Sequence, residues 1–326
     1  MRRFRKVLLP LAAATTLAVS GIASAEAVAA PSSPTTTDSA FATKNVQDDA
    51  AKAAVAYWTP ERMKNAISLD RVATKADEAV AAKTVYKVGN PGSTAPAQAT
   101  EGKPSSTFAP TASRTAGKVF FKNPQDGKNY VCSASAINSA SKQMVATAGH
   151  CVHGGKGGKW MTNWTFVPRY NNGSRPYGTF AAKEFRTFTS WISSSNLSRD
   201  VAFVTTYKRS DGKKLVNVVG GNGLSYNYDR SNYVTIFGYP VARQNGQVMI
   251  YCQGTTSADP GTSKVRIKCN LTGGASGGPW LRKYSSSTQL GYLNGVTSTV
   301  NSLGWNKSPY FDEYVKKMFD AQGSRV

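Results

Sequence analysis

From Lys118 onward the chain is cut into short runs of β-branched and aromatic residues separated by Gly, Asn and Pro, and this texture restricts the fold more than any other feature. The runs cover residues 130–137, 144–148, 160–167, 201–207, 233–239, 248–252, 265–269 and 291–300. Many short strands at close spacing, with few helical periods, predict an all-β sandwich or barrel. One helix is predicted at the end. Ser308 caps it, Pro309 starts it, Phe311, Tyr314, Val315, Met318 and Phe319 form its apolar face, and Gly323 ends it.

Residues 271–280 read Leu-Thr-Gly-Gly-Ala-Ser-Gly-Gly-Pro-Trp, with one serine, Ser276, among four glycines. A serine becomes a useful nucleophile only when a base takes its proton and donors stabilise the oxyanion that forms. Glycines let the backbone adopt strained angles and bring bare N–H groups close to a reacting carbonyl. The alternative is a merely flexible loop, so the reading turns on whether the chain supplies a base and an acid. Both of its histidines, His150 and His153, fall within residues 147–153, Thr-Ala-Gly-His-Cys-Val-His. Residues 274–278 also match the G-x-S-x-G pattern of α/β-hydrolases, but those enzymes place histidine last in chain order and here both precede the serine. With histidine first and serine last, an acid belongs between them. Asp200 opens the apolar run 201–204, whereas Glu184, Asp211, Asp229 and Asp259 sit in polar or turn-like surroundings.

Thr-Ala-Gly-His-Cys, Arg-Asp-Val-Ala-Phe-Val and Thr-Gly-Gly-Ala-Ser-Gly-Gly-Pro, in that order, resemble the secreted trypsin-like (chymotrypsin-fold) serine peptidases. The Thr-Gly-Gly-x-Ser-Gly form is more similar to the bacterial glutamyl endopeptidase branch than to the animal enzymes. The resemblance covers roughly residues 118–323. It implies two six-stranded antiparallel β-barrels with a C-terminal α-helix, and hydrolysis of peptide bonds in polypeptide substrates through an acyl-enzyme. In that scheme Ser276 attacks, His150 carries the proton, Asp200 orients the imidazole, and the N–H groups of Gly274 and Ser276 form the oxyanion hole. Ser298 matches the strand along which these enzymes lay the substrate backbone. Two departures accompany the likeness. Ala275 stands where the animal enzymes carry an aspartate that captures a new N-terminal amine. Thr297 stands where glutamyl endopeptidases carry a pocket histidine, and Asn270 stands near the position of the trypsin pocket acid, so neither a Glu nor a Lys/Arg preference is supported. A catalytically silent binding module at the cell wall is the rival reading, and a binding module has no need of all three triad residues.

Residues 1–25 read as a secretory signal peptide, with a basic start, an apolar stretch over 7–22 and Ala23-Ser24-Ala25 as a cleavage site. The apolar run is short and contains Pro10, which argues against a membrane anchor. Residues 26–116 are expected to be a partly helical pro-region and linker, and 117–326 the peptidase domain. Thr59 as N-cap, Pro60 and Glu61 introduce an amphipathic helix running to about Val80, with Met63, Ile67 and Val72 recurring at helical spacing. Residues 90–116, rich in Pro, Gly, Ser and Thr, read as the linker where cleavage occurs. A retained N-terminal tail is the alternative.

All four cysteines follow the linker, and export makes disulfides chemically sensible. Four cysteines allow three pairings. Cys132–Cys151 would pin the histidine-bearing turn, leaving Cys252–Cys269 to brace the loop that leads to the serine. A zinc site at His150, Cys151 and His153 would need a second ligand cluster, which the sequence lacks, so no metal or other cofactor is expected. The formal charge of +22 is compatible with loose adsorption to anionic cell walls. Lys and Arg are scattered among the strands and do not form basic clusters with interleaved aromatics, so no nucleic-acid partner is expected, and the protein is read as a monomer.

Overall fold

A computed structural model describes residues 39–69, 71–101 and 112–326; the expected signal peptide lies outside these residues. Six antiparallel strands, Ala116–Lys122, Asn129–Ile137, Met144–Thr147, Thr162–Pro168, Phe180–Phe188 and Ala202–Thr206, close on themselves through continuous ladders. Closure leaves no free edge within the ring, and alternate residues point inward. Val119, Phe121, Cys132, Val145, Phe166, Phe180, Phe185 and Val204 fill this first barrel.

The second half also has six principal strands, but its ladder is broken at two seams. Ile250–Thr255, Tyr233–Gly238, Pro279–Ser285 and Leu290–Val296 form one antiparallel run, and Val265–Lys268 pairs with Trp305–Ser308 in another. The Cys252–Cys269 disulfide joins the two runs at one seam. At the other, Ser308 Oγ lies over Gly295 and accepts the Val296 N–H that a ladder partner would otherwise take. Val234, Ile236, Val265, Ile267 and Trp280 fill this half. A further cluster including Ile137, Phe203, Phe237, Leu281, Val296 and Phe311 welds the two halves together.

The last helix runs Glu313–Gly323 and buries Val315, Met318 and Phe319. Its cap is Asp312 and not Ser308, because the Asp312 carboxylate accepts the Tyr314 and Val315 N–H groups while Ser308 ends a strand. The N-terminal segment packs on the barrel strands. Phe41–Asn45 adds a strand to Phe180–Phe188, and Trp58, 1% exposed, packs on Phe120. Thr59 and Pro60 start a helix as expected, but it ends at Asn65, where Ile67–Ser68 leave to pair with Tyr130 and Val131. A second helix, Lys75–Ala82, begins at a capping box in which Thr74 and Asp77 exchange hydrogen bonds. Two local start signals in place of one divide the expected single helix. Gly92–Ser93 then pairs with Ser225 and Tyr226, so the early part of the supposed linker lies along the second half.

Candidate active site

His150 sits on a short turn, Gly149–Cys151, directly after the strand Met144–Thr147. The Cys132–Cys151 disulfide ties that turn to the neighbouring strand. Asp200 follows the turn Leu197–Arg199 and is fully buried. Its Oδ1 accepts the His150 backbone N–H at 2.7 Å, and its Oδ2 lies 2.8 Å from His150 Nδ1. Ser298 Oγ donates to the same Oδ2 at 2.6 Å. Burial alone would push the Asp200 carboxyl up, but the imidazole, the Ser298 hydroxyl and the His150 N–H outweigh it and hold the carboxyl below the usual carboxylate range. A carboxylate at Nδ1 favours the tautomer with its proton there, leaving Nε2 with a lone pair. The adjacent Arg199 turns away and forms a two-pronged pair with Asp312 at 3.0 and 2.9 Å.

Nε2 of His150 is buried and makes no hydrogen bond among the described residues, so the Ser276–His150 bond is not formed in this state. Bonds of this kind are often long in unliganded sites and tighten when substrate arrives. Ser276 is itself nearly buried, and its carbonyl accepts the Ser133 N–H at 2.7 Å. The glycines around it are explained by close approach. A Cβ at Gly277 would collide with Thr147 Oγ1 and Ser133 O, and one at Gly278 with Phe237 O. Gly274 has φ +90°, a conformation costly for other residues, and a Cβ there would strike Tyr239 O. This loop is therefore wedged between the two barrels and not slack. The Ala275 N–H is engaged by Thr272 O, whereas the N–H groups of Gly274 and Ser276 donate to no group among the described residues.

A cavity of about 170 Å³ opens beside Ser276, lined by Leu271, Thr272, Gly273 and residues 297–300. Thr297 is in it, but its hydroxyl is engaged by Trp280 Nε1 at 2.9 Å. Asn270 is exposed and lies outside the lining, with φ 51° and its N–H bonded to Gly304 O. Thr272, which the sequence pattern does not single out, brings a buried hydroxyl that has no partner among the described residues. Asn306, also unread, clamps both the N–H and the carbonyl of Leu271 at 3.0 and 2.7 Å. Arg71 and Val72 of the N-terminal segment line the same cavity, and the Arg71 guanidinium lies 5.4 Å from the Trp191 ring that flanks His150. Nothing in a lone Arg-Val pair signals such a place; only the path of the folded segment does.

His153 is buried, accepts the Gly155 N–H at Nδ1 and lies edge-on to Trp160, and burial pushes its pKa down. It serves the loop. Ligand atoms of Cys132, His150 and Cys151 converge, but the two sulfurs are bonded to each other and offer no thiolate to a metal.

No protein-family model matches this sequence. A glutamyl endopeptidase of Bacillus licheniformis is 29% identical over 162 residues, 48% of this chain and 49% of that protein. The chain thus spans about half the length of the curated relative it matches. Among solved structures, a thermostable serine protease, AL20, from an extremophilic microorganism is 34% identical, with a TM-score of 0.61 over 66% of this chain and 99% of that one. Protease Anisep from Arthrobacter nicotinovorans is 38% identical, also with a TM-score of 0.61, over 66% and 98%. A Glu endopeptidase at 17% identity and TM-score 0.55 covers 73% of this chain and 99% of its own, and shares the fold.

Proposed function

Because the chain belongs to the trypsin-like, chymotrypsin-fold serine peptidases of the glutamyl endopeptidase type, we propose that it is a secreted serine endopeptidase acting through His150, Asp200 and Ser276. The observation that carries this reading is the buried Asp200, which orders the imidazole through two bonds to His150 and leaves Nε2 unengaged. Ser276 Oγ attacks the scissile carbonyl carbon as Nε2 takes its proton. The imidazolium is stabilised by Asp200, and the oxyanion is received by the N–H groups of Gly274 and Ser276. Collapse of the tetrahedral species expels the amine, which receives the proton from Nε2, and water then hydrolyses the ester by the same route in reverse. The peptide backbone pairs along residues 297–300, which line the cavity and include the short strand Thr299–Val300.

Among the described residues that line the cavity, Arg71 is the one charged side chain, and it comes from the N-terminal segment. Once that segment is gone, the described residues left around the cavity carry no counter-charge to a glutamate or to a Lys/Arg. Residues 26–116 act as a pro-region, with Arg71 and Val72 across the cleft and cleavage in the linker before residue 117. The signal-like first 25 residues and the two disulfides support export. Incubating the secreted protein with casein beside a Ser276→Ala variant tests the reading. The variant is expected to lose roughly 10⁶ in turnover, and equal proteolysis by both proteins would overturn it. N-terminal sequencing of the secreted form tests removal of the pro-region, and a start at Glu26 would refute it.

A further inference from the structure

Lys118 lies on the first strand of the first barrel, yet is only 1% exposed. Its ammonium faces the rings of Tyr170, Phe120 and Tyr239, with Nζ 5.0, 5.3 and 6.0 Å from their centres. It makes one hydrogen bond, to Gly246 O at 2.8 Å, and no carboxylate among the described residues forms an ion pair with it. Burial pushes its pKa down to about 8. The other titratable groups around it are the Tyr170 and Tyr239 phenols, both raised by burial, and Arg169, whose charge acts on Tyr239. A buried cation without a counter-charge is an expensive way to fill space that a methionine would fill more cheaply.

What the ammonium holds is a strained turn. Gln244, Asn245 and Gly246 are three successive left-handed residues, with φ of 47°, 53° and 65°. Gly246 and Gly274 flank one stretch of backbone, since a Cβ on either would meet Tyr239 O and Val241 Cγ1. The same stretch grips the serine loop by hydrogen bonds. Val241 N–H donates to Gly273 O at 2.8 Å, and Tyr239 N–H donates to Ser133 Oγ, which in turn donates to Gly274 O at 2.8 Å. Ala275 offers no carboxylate by which an ammonium could brace this loop from within.

We propose that Lys118 is a positioning residue for the oxyanion-binding N–H of Gly274: through Gly246 it clamps the Tyr239–Pro240–Val241 backbone against the Gly273–Gly274 peptide. The inference rests on the serine-peptidase reading above. Loss of the clamp lets the Gly274 N–H drift from the place where negative charge develops, which slows acylation without weakening ground-state binding.

The test follows acylation by p-nitrophenyl acetate, with fluorescein-casein proteolysis beside it, for wild type, Lys118→Met and Lys118→Arg. Lys118→Met is expected to lower the acylation rate about tenfold with KM within about twofold and no fall in melting temperature. Lys118→Arg, which keeps charge and donor, retains more of the rate. In wild type the acylation rate is expected to fall as pH rises through about 8, where the ammonium loses its proton and its charge-assisted bond to Gly246 O weakens. The proposal is overturned if Lys118→Met acylates at the wild-type rate, or if its rate and melting temperature fall together. Should Lys118→Met fail to fold, a wild-type acylation rate that stays flat above neutral pH overturns it alone. Serine-independent activity in Ser276→Ala would instead sink the underlying reading, so the two failures are distinct.

Discussion

Replacing Asp200 by Asn keeps one oxygen where the site uses two. Oδ1 takes the His150 backbone N–H, while Oδ2 takes both His150 Nδ1–H and Ser298 Oγ–H. The amide can keep the backbone bond only by placing its NH₂ where Oδ2 was. The Ser298 hydroxyl can rotate and become an acceptor, but Nδ1 cannot keep its proton against another donor. The imidazole then moves that proton to Nε2, and the ring can no longer accept one from Ser276. Such a tautomer change costs about 10⁴ in kcat, or roughly 5 kcal/mol of transition-state stabilisation at about 1.4 kcal/mol per tenfold. Ser298→Ala is the graded control. It removes one charge-assisted bond worth about 1.5–3 kcal/mol and leaves the tautomer alone, so a loss of roughly ten- to a hundredfold is expected. Both are read as kcat and KM on an ester substrate, with thermal melts to establish folding. A folded Asp200→Asn variant within about tenfold of wild type, or one no worse than Ser298→Ala, would refute the reasoning.

Gly277→Ala places a methyl against Thr147 Oγ1 and Ser133 O at a φ of +79°, so denaturant titration should show a loss of at least about 1–3 kcal/mol. Removing Cys132–Cys151 as a double serine variant should cost about 2–5 kcal/mol by the same titration, since it frees the turn that carries His150. Glu78 bridges Lys264 and Lys307, and although burial alone would raise its pKa, these lysines hold it below the usual carboxylate value. Its contribution is therefore present above the unfolded carboxyl pKa and is lost as pH falls through the lower folded one. Acid, or Glu78→Ala at neutral pH, should speed proteolytic release of the N-terminal segment, followed on gels. Lys118 has the same sign for a different reason, because there burial penalises the charged form. Its folded pKa, about 8, lies below the lysine value of 10.5, so stability to urea should rise between those pH values in wild type and less so in Lys118→Met.

The strands that the sequence displayed openly are the ones whose side chains alternate cleanly or form apolar runs, such as Tyr233–Gly238 and Ala202–Thr206. Ala116–Lys122 and Phe180–Phe188 went unread because Lys118, Lys183, Glu184 and Arg186 interrupt them. In the fold Lys118 is buried against aromatic rings, and Glu184 and Arg186 pair with each other, so charge does not mark the outside face there. Pattern reading also placed the last helix one turn early, because Ser308-Pro309 mimics a start signal whose serine in fact bridges two strands. At the site, residue type and chain order single out His150, Asp200 and Ser276, and of these the structure joins His150 and Asp200 by hydrogen bonds. Thr272 through its carbonyl, and Ser133 and Asn306 through their side chains, hold backbone groups of this loop, contacts that no local spacing encodes. The passage of Arg71 and Val72 beside Ser276 depends on a parallel pairing of Ile67 and Ser68 with a strand some sixty residues away, beyond the reach of helical or strand periodicity.

The most direct measurement is the intact mass of the secreted protein after treatment with a fluorophosphonate, followed by mapping of the adduct. A single adduct on Ser276, absent from Asp200→Asn over the same interval, is the expected result. Labelling of another residue, or none in folded protein that still degrades casein, would contradict the catalytic assignment.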